Sequence, residues 1–281
     1  MWQYWQAGGA LAEGRLWLET GLAIEPRASE QTRMTALWGV AWLAYHQGDV
    51  EAARAAAIEL ERMSARNDDD AARRNAATVL GMVAIADDRP NDAVELLDEA
   101  LDIARRLKRP WILATSLLNL GLGRLSANDA DGARTAIGEA LRGYVAIGDE
   151  RFQARCQCYL GLVSLLDDDL PRARTLLERS LAAFHVLGEP AGTAEGLAGH
   201  AALAAATRQP AQAAALAGAA ERLRETYAGL ELPLDRRTTS GFLELARGQL
   251  GPRARHHELQ RGGELTLDQA VATALGSPAV P

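Results

Sequence analysis

The sequence predicts an all-α chain in which helices pair into hairpins and the hairpins stack into a solenoid. Three observations predict it. Small residues recur in register at a 40-residue step. Each step contains two breaks of turn-forming residues, so it holds two helices of roughly four turns. The composition is rich in Ala but has only 5 Tyr and 3 Phe in 281 residues, which favours helix over sheet.

The recurrence appears when blocks are aligned at residues 31, 71, 111, 151 and 191. Position 11 of each block reads Ala41, Gly81, Gly121, Gly161, Ala201, and position 23 reads Ala53, Ala93, Ala133, Ala173, Ala213. Position 10 reads Val40, Leu80, Leu120, Leu160, His200, and position 27 reads Ala57, Leu97, Ile137, Leu177, Ala217. Gly or Ala at positions 11 and 23 lets two helix backbones approach, and the larger aliphatics fill the groove around that contact. One such hairpin cannot bury its apolar face alone, whereas stacked neighbours bury a continuous core.

In chain order, Gly14, Leu18 and Gly21 fit positions 23, 27 and 30, so residues 10–24 are expected to be the second helix of a pair. Residues 1–6 then become the tail of a first helix that lacks its first half. This leads us to expect a chain cut from a longer protein, or an element covering Trp2 and Trp5. Five blocks follow. Their mid-block breaks fall at Gly48-Asp49, Asp88-Arg89-Pro90, Asn128-Asp129, Asp168-Asp169-Leu170-Pro171 and Arg208-Gln209-Pro210. These are turn and N-cap residues, with Pro just inside the next helix. The closing breaks fall at Asn67 to Asp70, Lys108-Arg109-Pro110, Gly148-Asp149, Gly188-Glu189-Pro190 and Gly229. After residue 230 the period fails. A helix over 235–250 and a short basic helix follow. Thr266-x-x-Gln269 then opens a last helix with a capping box. The expected organisation is repeats over 1–230 (a partial repeat 1–30, then 31–70, 71–110, 111–150, 151–190 and 191–230), with a helical cap and tail over 231–281.

The Leu-Gly pairs Leu80-Gly81, Leu120-Gly121 and Leu160-Gly161, the turn, and the Ala series on the second helix resemble the tetratricopeptide repeat. That resemblance implies a right-handed α-solenoid. The 40-residue blocks exceed the usual 34, and Ala44, Ala84, Arg124, Ser164 and Ala204 replace the customary aromatic. HEAT-like repeats share the longer step and remain the rival. Three stretches, GGALAEGRLWLETGLA, GDERFQAR and GGELTLDQAVATALG, resemble the C-terminal repeat region of large ATP-binding regulators of the LuxR, AfsR and MalT kind. The resemblance implies a signalling ATPase domain in cis and a role in transcription regulation. None of that family's ATPase or DNA-binding residues maps onto this chain.

Composition excludes several classes. Net charge of −7 argues against a nucleic-acid grip by this chain. No basic n-region precedes an apolar run, and no uncharged stretch reaches the roughly 18 residues of a membrane span. Two cysteines, Cys156 and Cys158, make no disulfide framework, which suits the cytoplasm. The search for chemistry returns little. The only lysine, Lys108, lies in no phosphate loop. Gly121 and Gly123 follow no strand. His256-His257-Glu258 lacks the spacing of a zinc site, and Asp167-Asp168-Asp169 lacks the Gly and Glu of a calcium loop. His200 is read as a hydrogen-bonded buried histidine. No enzyme, metal or cofactor is expected.

The tetratricopeptide resemblance places a binding groove on the first helix of each pair, at positions 5, 8, 9, 12 and 15. From these the candidate contact residues are Trp38, Trp42, Tyr45, Asn75, Met82, Asn119, Arg155 and Tyr159, with Trp2 and Trp5 facing the missing upstream element. Such a face is apolar and aromatic with isolated hydrogen-bonding groups. It suits a protein helix or a small-molecule effector. Two readings follow: a sensor or interaction domain of a bacterial signalling-ATPase transcription regulator, or a freestanding tetratricopeptide scaffold that binds a partner peptide or helix, as a homodimer through Trp2 and Trp5 in one version.

Overall fold

A computed structural model of the chain describes residues 11–25, 27–226 and 233–276. It contains fourteen helices and no strand among them. Trp2 and Trp5 lie outside the described residues. The chain divides into two compact units, Met1–Asp129 and Ala130–Pro281.

The first unit holds α1 (Leu11–Ile24), α2 (Glu30–His46), α3 (Val50–Asn67), α4 (Asp70–Ala86), α5 (Pro90–Leu107) and α6 (Pro110–Ser126). The helices stop where the backbone turns left-handed. Those residues are Gly48 (φ 74°), Asp68 (φ 49°), Asp88 (φ 61°), Lys108 (φ 52°) and Asn128 (φ 60°). They stand at positions 18 and 38 of the blocks, so one αL residue closes each helix from α2 to α6. Helix starts are equally local. Asp49 accepts from the Ala52 amide at 3.1 Å and Asp69 from the Ala72 amide at 2.9 Å, while Pro90 and Pro110 fill first-turn positions that need no amide donor.

Packing in this unit turns on Leu97. An ideal Cβ placed on Gly81 of α4 meets Leu97 Cγ at 2.6 Å and the Ala93 carbonyl oxygen at 3.4 Å. A Cβ on Gly123 of α6 meets Leu97 Cδ1 at 2.8 Å. One fully buried leucine therefore sits between glycines of two first helices, its own partner and the next. Leu18 of α1 meets Gly39 of α2 in the same way, at 2.6 Å. Arginine–acid bridges tie the second helix of one pair to the turn of the next. Arg15 reaches Asp49 at 2.8 Å and Gln47 at 3.1 Å, and Arg54 reaches Asp87 at 2.8 Å.

The second unit holds α7 (Ala130–Ile147), α8 (Glu150–Leu166), α9 (Leu170–Val186), α10 (Pro190–Ala206), α11 (Pro210–Thr226), α12 (Pro233–Gln249), α13 (Pro252–Gly263) and α14 (Leu267–Leu275). Its turns repeat the pattern at Gly148, Asp168, Gly188 and Arg208. Leu177 repeats the part of Leu97, with Gly161 of α8 at 2.8 Å and Gly199 of α10 at 2.7 Å. Arg134 bridges to Asp167.

The last helices break the rule. A Cβ on Gly262 of α13 would lie 1.8 Å from the Ala215 carbonyl oxygen, and one on Gly218 of α11 would lie 2.1 Å from that of Leu259. The two backbones touch through paired glycines. Helix α14 starts at a complete capping box between Thr266 and Gln269. It buries Ala270, Val271 and Ala274 against Leu181, Leu197 and Leu216.

Candidate functional site

The candidate contact residues fall in both units. Trp38, Trp42, Tyr45, Asn75, Met82 and Asn119 belong to the first unit, Arg155 and Tyr159 to the second. Trp38, Trp42, Asn75 and Arg155 are half-buried, whereas Tyr45, Met82, Asn119 and Tyr159 are buried.

In the first unit, α2 ends in an aromatic cluster because Trp42, Tyr45 and His46 share a face at i, i+3 and i+4 spacing. The Trp42 and His46 rings meet edge-on at 4.8 Å, and Trp42 and Tyr45 stack at 6.1 Å. On α4, Asn75 accepts from Arg74 Nη1 at 2.9 Å. Arg74, only 4% exposed, also donates through Nε to Ser116 Oγ of α6 at 3.1 Å. Burying a guanidinium is costly unless its donors are used, so buried Ser116 supports Arg74, and half-buried Asn75 is as much a support for it as a surface group. Asn119 Nδ2 finds no acceptor among the described residues.

In the second unit, Arg155 makes a two-pronged bond to Glu195, with Nε–Oε2 at 3.1 Å and Nη2–Oε1 at 2.8 Å. Such a fork is the strong form of the pair. Its guanidinium lies 5.7 Å over the Phe152 ring, which itself stacks on Tyr144 at 4.9 Å. One turn back, Arg151 Nε lies 3.1 Å from Glu189 Oε2. Burial first, and then the neighbouring Arg155 charge, push the Arg151 guanidinium below its usual pKa. Arg155 and Glu195 stand at position 5 of successive blocks, a pairing that the candidate residues named from the sequence do not include. The signal was there, since opposite charges one repeat apart at one register position face each other when repeats stack. Cys156 and Cys158 are buried, and burial pushes the Cys156 thiol up to about 12, so it supplies no thiolate near neutrality. Among the described residues, no group of three or more His, Cys, Asp or Glu could hold a metal ion. No described helix is long and apolar enough to cross a membrane.

No protein-family model and no curated protein matches the sequence. Solved structures do. BtubC (BKLC) from P. vanneervenii matches with a TM-score of 0.55 at 20% identity, covering 80% of this chain and 92% of that one. A signal transduction ATPase with numerous domains and a tetratricopeptide repeat sensor, from Pyrococcus horikoshii, matches with a TM-score of 0.58 at 16% identity. This match covers 90% of the present chain but only 39% of the ATPase. A Rap protein solved with Competence and Sporulation Factor matches with a TM-score of 0.60 at 13% identity, over 85% and 68% of the two chains. The fold is thus a tetratricopeptide-like helical-repeat solenoid.

Proposed function

We propose that this chain is a non-catalytic sensor and interaction domain of a bacterial, cytoplasmic signalling-ATPase regulator of transcription. The observation that carries the reading is the half-buried aromatic face of α2. Trp38 and Trp42 offer large, half-buried aromatic area, the kind of residue that dominates recognition surfaces. The likeness to the repeat sensor of a multidomain signalling ATPase supports the context, as does the LuxR-like closing stretch. The effector is a protein helix or a small molecule on the first helices of the repeats. The net charge of −7 leaves DNA to another domain.

One observation favours a second reading, a freestanding scaffold that binds a partner peptide or helix. The BtubC chain is matched over 92% of its length by this one. The two readings part at the coding sequence upstream of Met1. An in-frame nucleotide-binding domain with its Gly-x-x-x-x-Gly-Lys loop is the result expected, and a stop codon followed by an unrelated gene overturns the first reading. Trp38→Ala with Trp42→Ala should abolish effector binding while leaving the helical circular dichroism intact.

A further inference from the structure

The arginine–acid bridges form a rule within the chain. Position 24 of one block, or its equivalent Arg15, meets position 17 or 19 of the next. Arg15 has Gln47 and Asp49, Arg54 has Asp87, and Arg134 has Asp167. Where position 24 is apolar, at Val94, position 17 of the next block is apolar too, at Ala127. One block breaks the rule. Arg174 stands at position 24, but the next block offers Thr207 and Gln209 and no acid. The nearest carboxylate oxygen to Arg174 is that of Glu178, at 4.0 Å on its own helix.

A second departure falls in the same place. Position 10 is aliphatic in the four earlier blocks and His200 in the fifth. His200 is 3% exposed. Its ring bonds the Leu177 backbone, and its buried Nε2 has no partner among the described residues. A neutral imidazole that donates through Nδ1 presents a bare lone pair at Nε2, an acceptor whose burial without a donor is unfavourable. Both residues line one cavity of about 240 Å³, together with Thr207, Gln209, Leu216 and Leu275. That is room for roughly eight water volumes. Arg174, with half its side chain exposed, stands at the mouth.

We propose that this cavity is a binding site for a short-chain 2-hydroxy carboxylate, whose carboxylate replaces the missing acid against Arg174 and whose hydroxyl donates to His200 Nε2. A hydroxyl suits the site better than an ammonium because it adds no positive charge beside Arg174. The half-buried Leu275 side chain accommodates a short alkyl tail. Thr207 Oγ1 already donates to the Leu203 carbonyl at 2.8 Å and accepts from Gln209 at 3.2 Å, so it does not compete for the ligand's hydroxyl proton. The site is independent of the aromatic face on α2.

The test is calorimetric titration of the full chain with 2-hydroxyhexanoate and with hexanoate. The hydroxy acid should bind, and hexanoate should bind about tenfold more weakly, the loss of one buried hydrogen bond. Thr207→Asp restores the acid that Asp87 and Asp167 supply at the same position of two other blocks. It should raise the melting temperature and weaken the hydroxy acid at least about tenfold. His200→Leu restores the usual aliphatic and should reduce the preference for the hydroxy acid to about one. No binding by the unaltered chain, equal binding of the two acids, or undiminished binding by Thr207→Asp overturns the site. The comparison of the two acids on the unaltered chain decides the matter even if a variant does not fold.

Discussion

Two kinds of helix seam hold this molecule together, and they use glycine differently. At Gly81 and Gly161 the missing Cβ makes room for a leucine side chain, Leu97 or Leu177, which a second glycine from the next pair also receives. At Gly218 and Gly262 it makes room for the backbone of the facing helix. A side chain can change rotamer, but a carbonyl in a helix cannot move without its neighbours. The repeat seam is therefore tolerant and the closing seam is not. The sharpest test is Gly262→Ala, which sets a methyl 1.8 Å from the Ala215 oxygen. It should destabilise the second unit by about 3 kcal/mol or more through overpacking, as read by urea denaturation. Because the clash is with backbone, Ala215→Gly should give no relief. Relief would mean that the seam is built of side chains after all.

The irregular fifth pair also differs in its response to pH. Burial first, opposed by the bond to Leu177 and aided by Arg174, pushes His200 down to about 4 from an ordinary 6.5. Above pH 6.5 the ring is neutral in both folded and unfolded chains and contributes no pH dependence. As pH falls from 6.5 towards 4, the unfolded chain takes up a proton that the folded chain refuses, and stability is lost. Across that window the loss should reach about 3 kcal/mol relative to His200→Leu. Parallel stability curves for the two proteins between pH 7 and pH 4 would refute it.

The repeat seam should respond less. Gly161→Ala brings a methyl to 2.8 Å from Leu177 Cγ, and the leucine can shift, so about 1–2 kcal/mol is expected. The double variant with Leu177→Ala should cost less than the sum of its parts, since the new methyl enters space that the leucine leaves. Strict additivity would place the two groups out of contact.

These seams were unequally legible. Recurrence exposed Gly81, Gly161, Leu97 and Leu177, because the five blocks keep small residues at position 11 and apolar ones at position 27, and two of them write the same Gly–Leu contact at the same step. The crossing of Gly218 on Gly262 occurs once and leaves no period to detect. The contact face was harder for another reason. The first helices are apolar nearly all round, as in α10, where Gly192 to Ala205 are buried with Glu195 as the lone half-buried exception. Periodicity then cannot divide groove from seam. Tyr45, Met82 and Tyr159 are buried, and Gly39 and Gly199, at register position 9, receive Leu18 and Leu177. The Arg174–Thr207 mismatch was visible as letters, but it became a signal only once Arg54–Asp87 and Arg134–Asp167 were seen as bonds.

The smallest effect concerns the turns that both kinds of seam share. Position 18 must be left-handed in every block. Gly48 adopts that conformation freely, and Asp88, Asn128 and Asp168 tolerate it, but Arg208 at φ 58° does not. The Arg208 side chain is exposed, and among the described residues no bond of it offsets the strain. Arg208→Gly should therefore stabilise the second unit by about 1 kcal/mol, after the added entropy of glycine in the unfolded chain is subtracted. Asn128→Gly should gain less, because asparagine is already at home in that conformation. Thermal melts of the two variants rank the effects. If Arg208→Gly gained no more than Asn128→Gly, its backbone strain would be relieved by contacts that its solvent-facing side chain does not suggest.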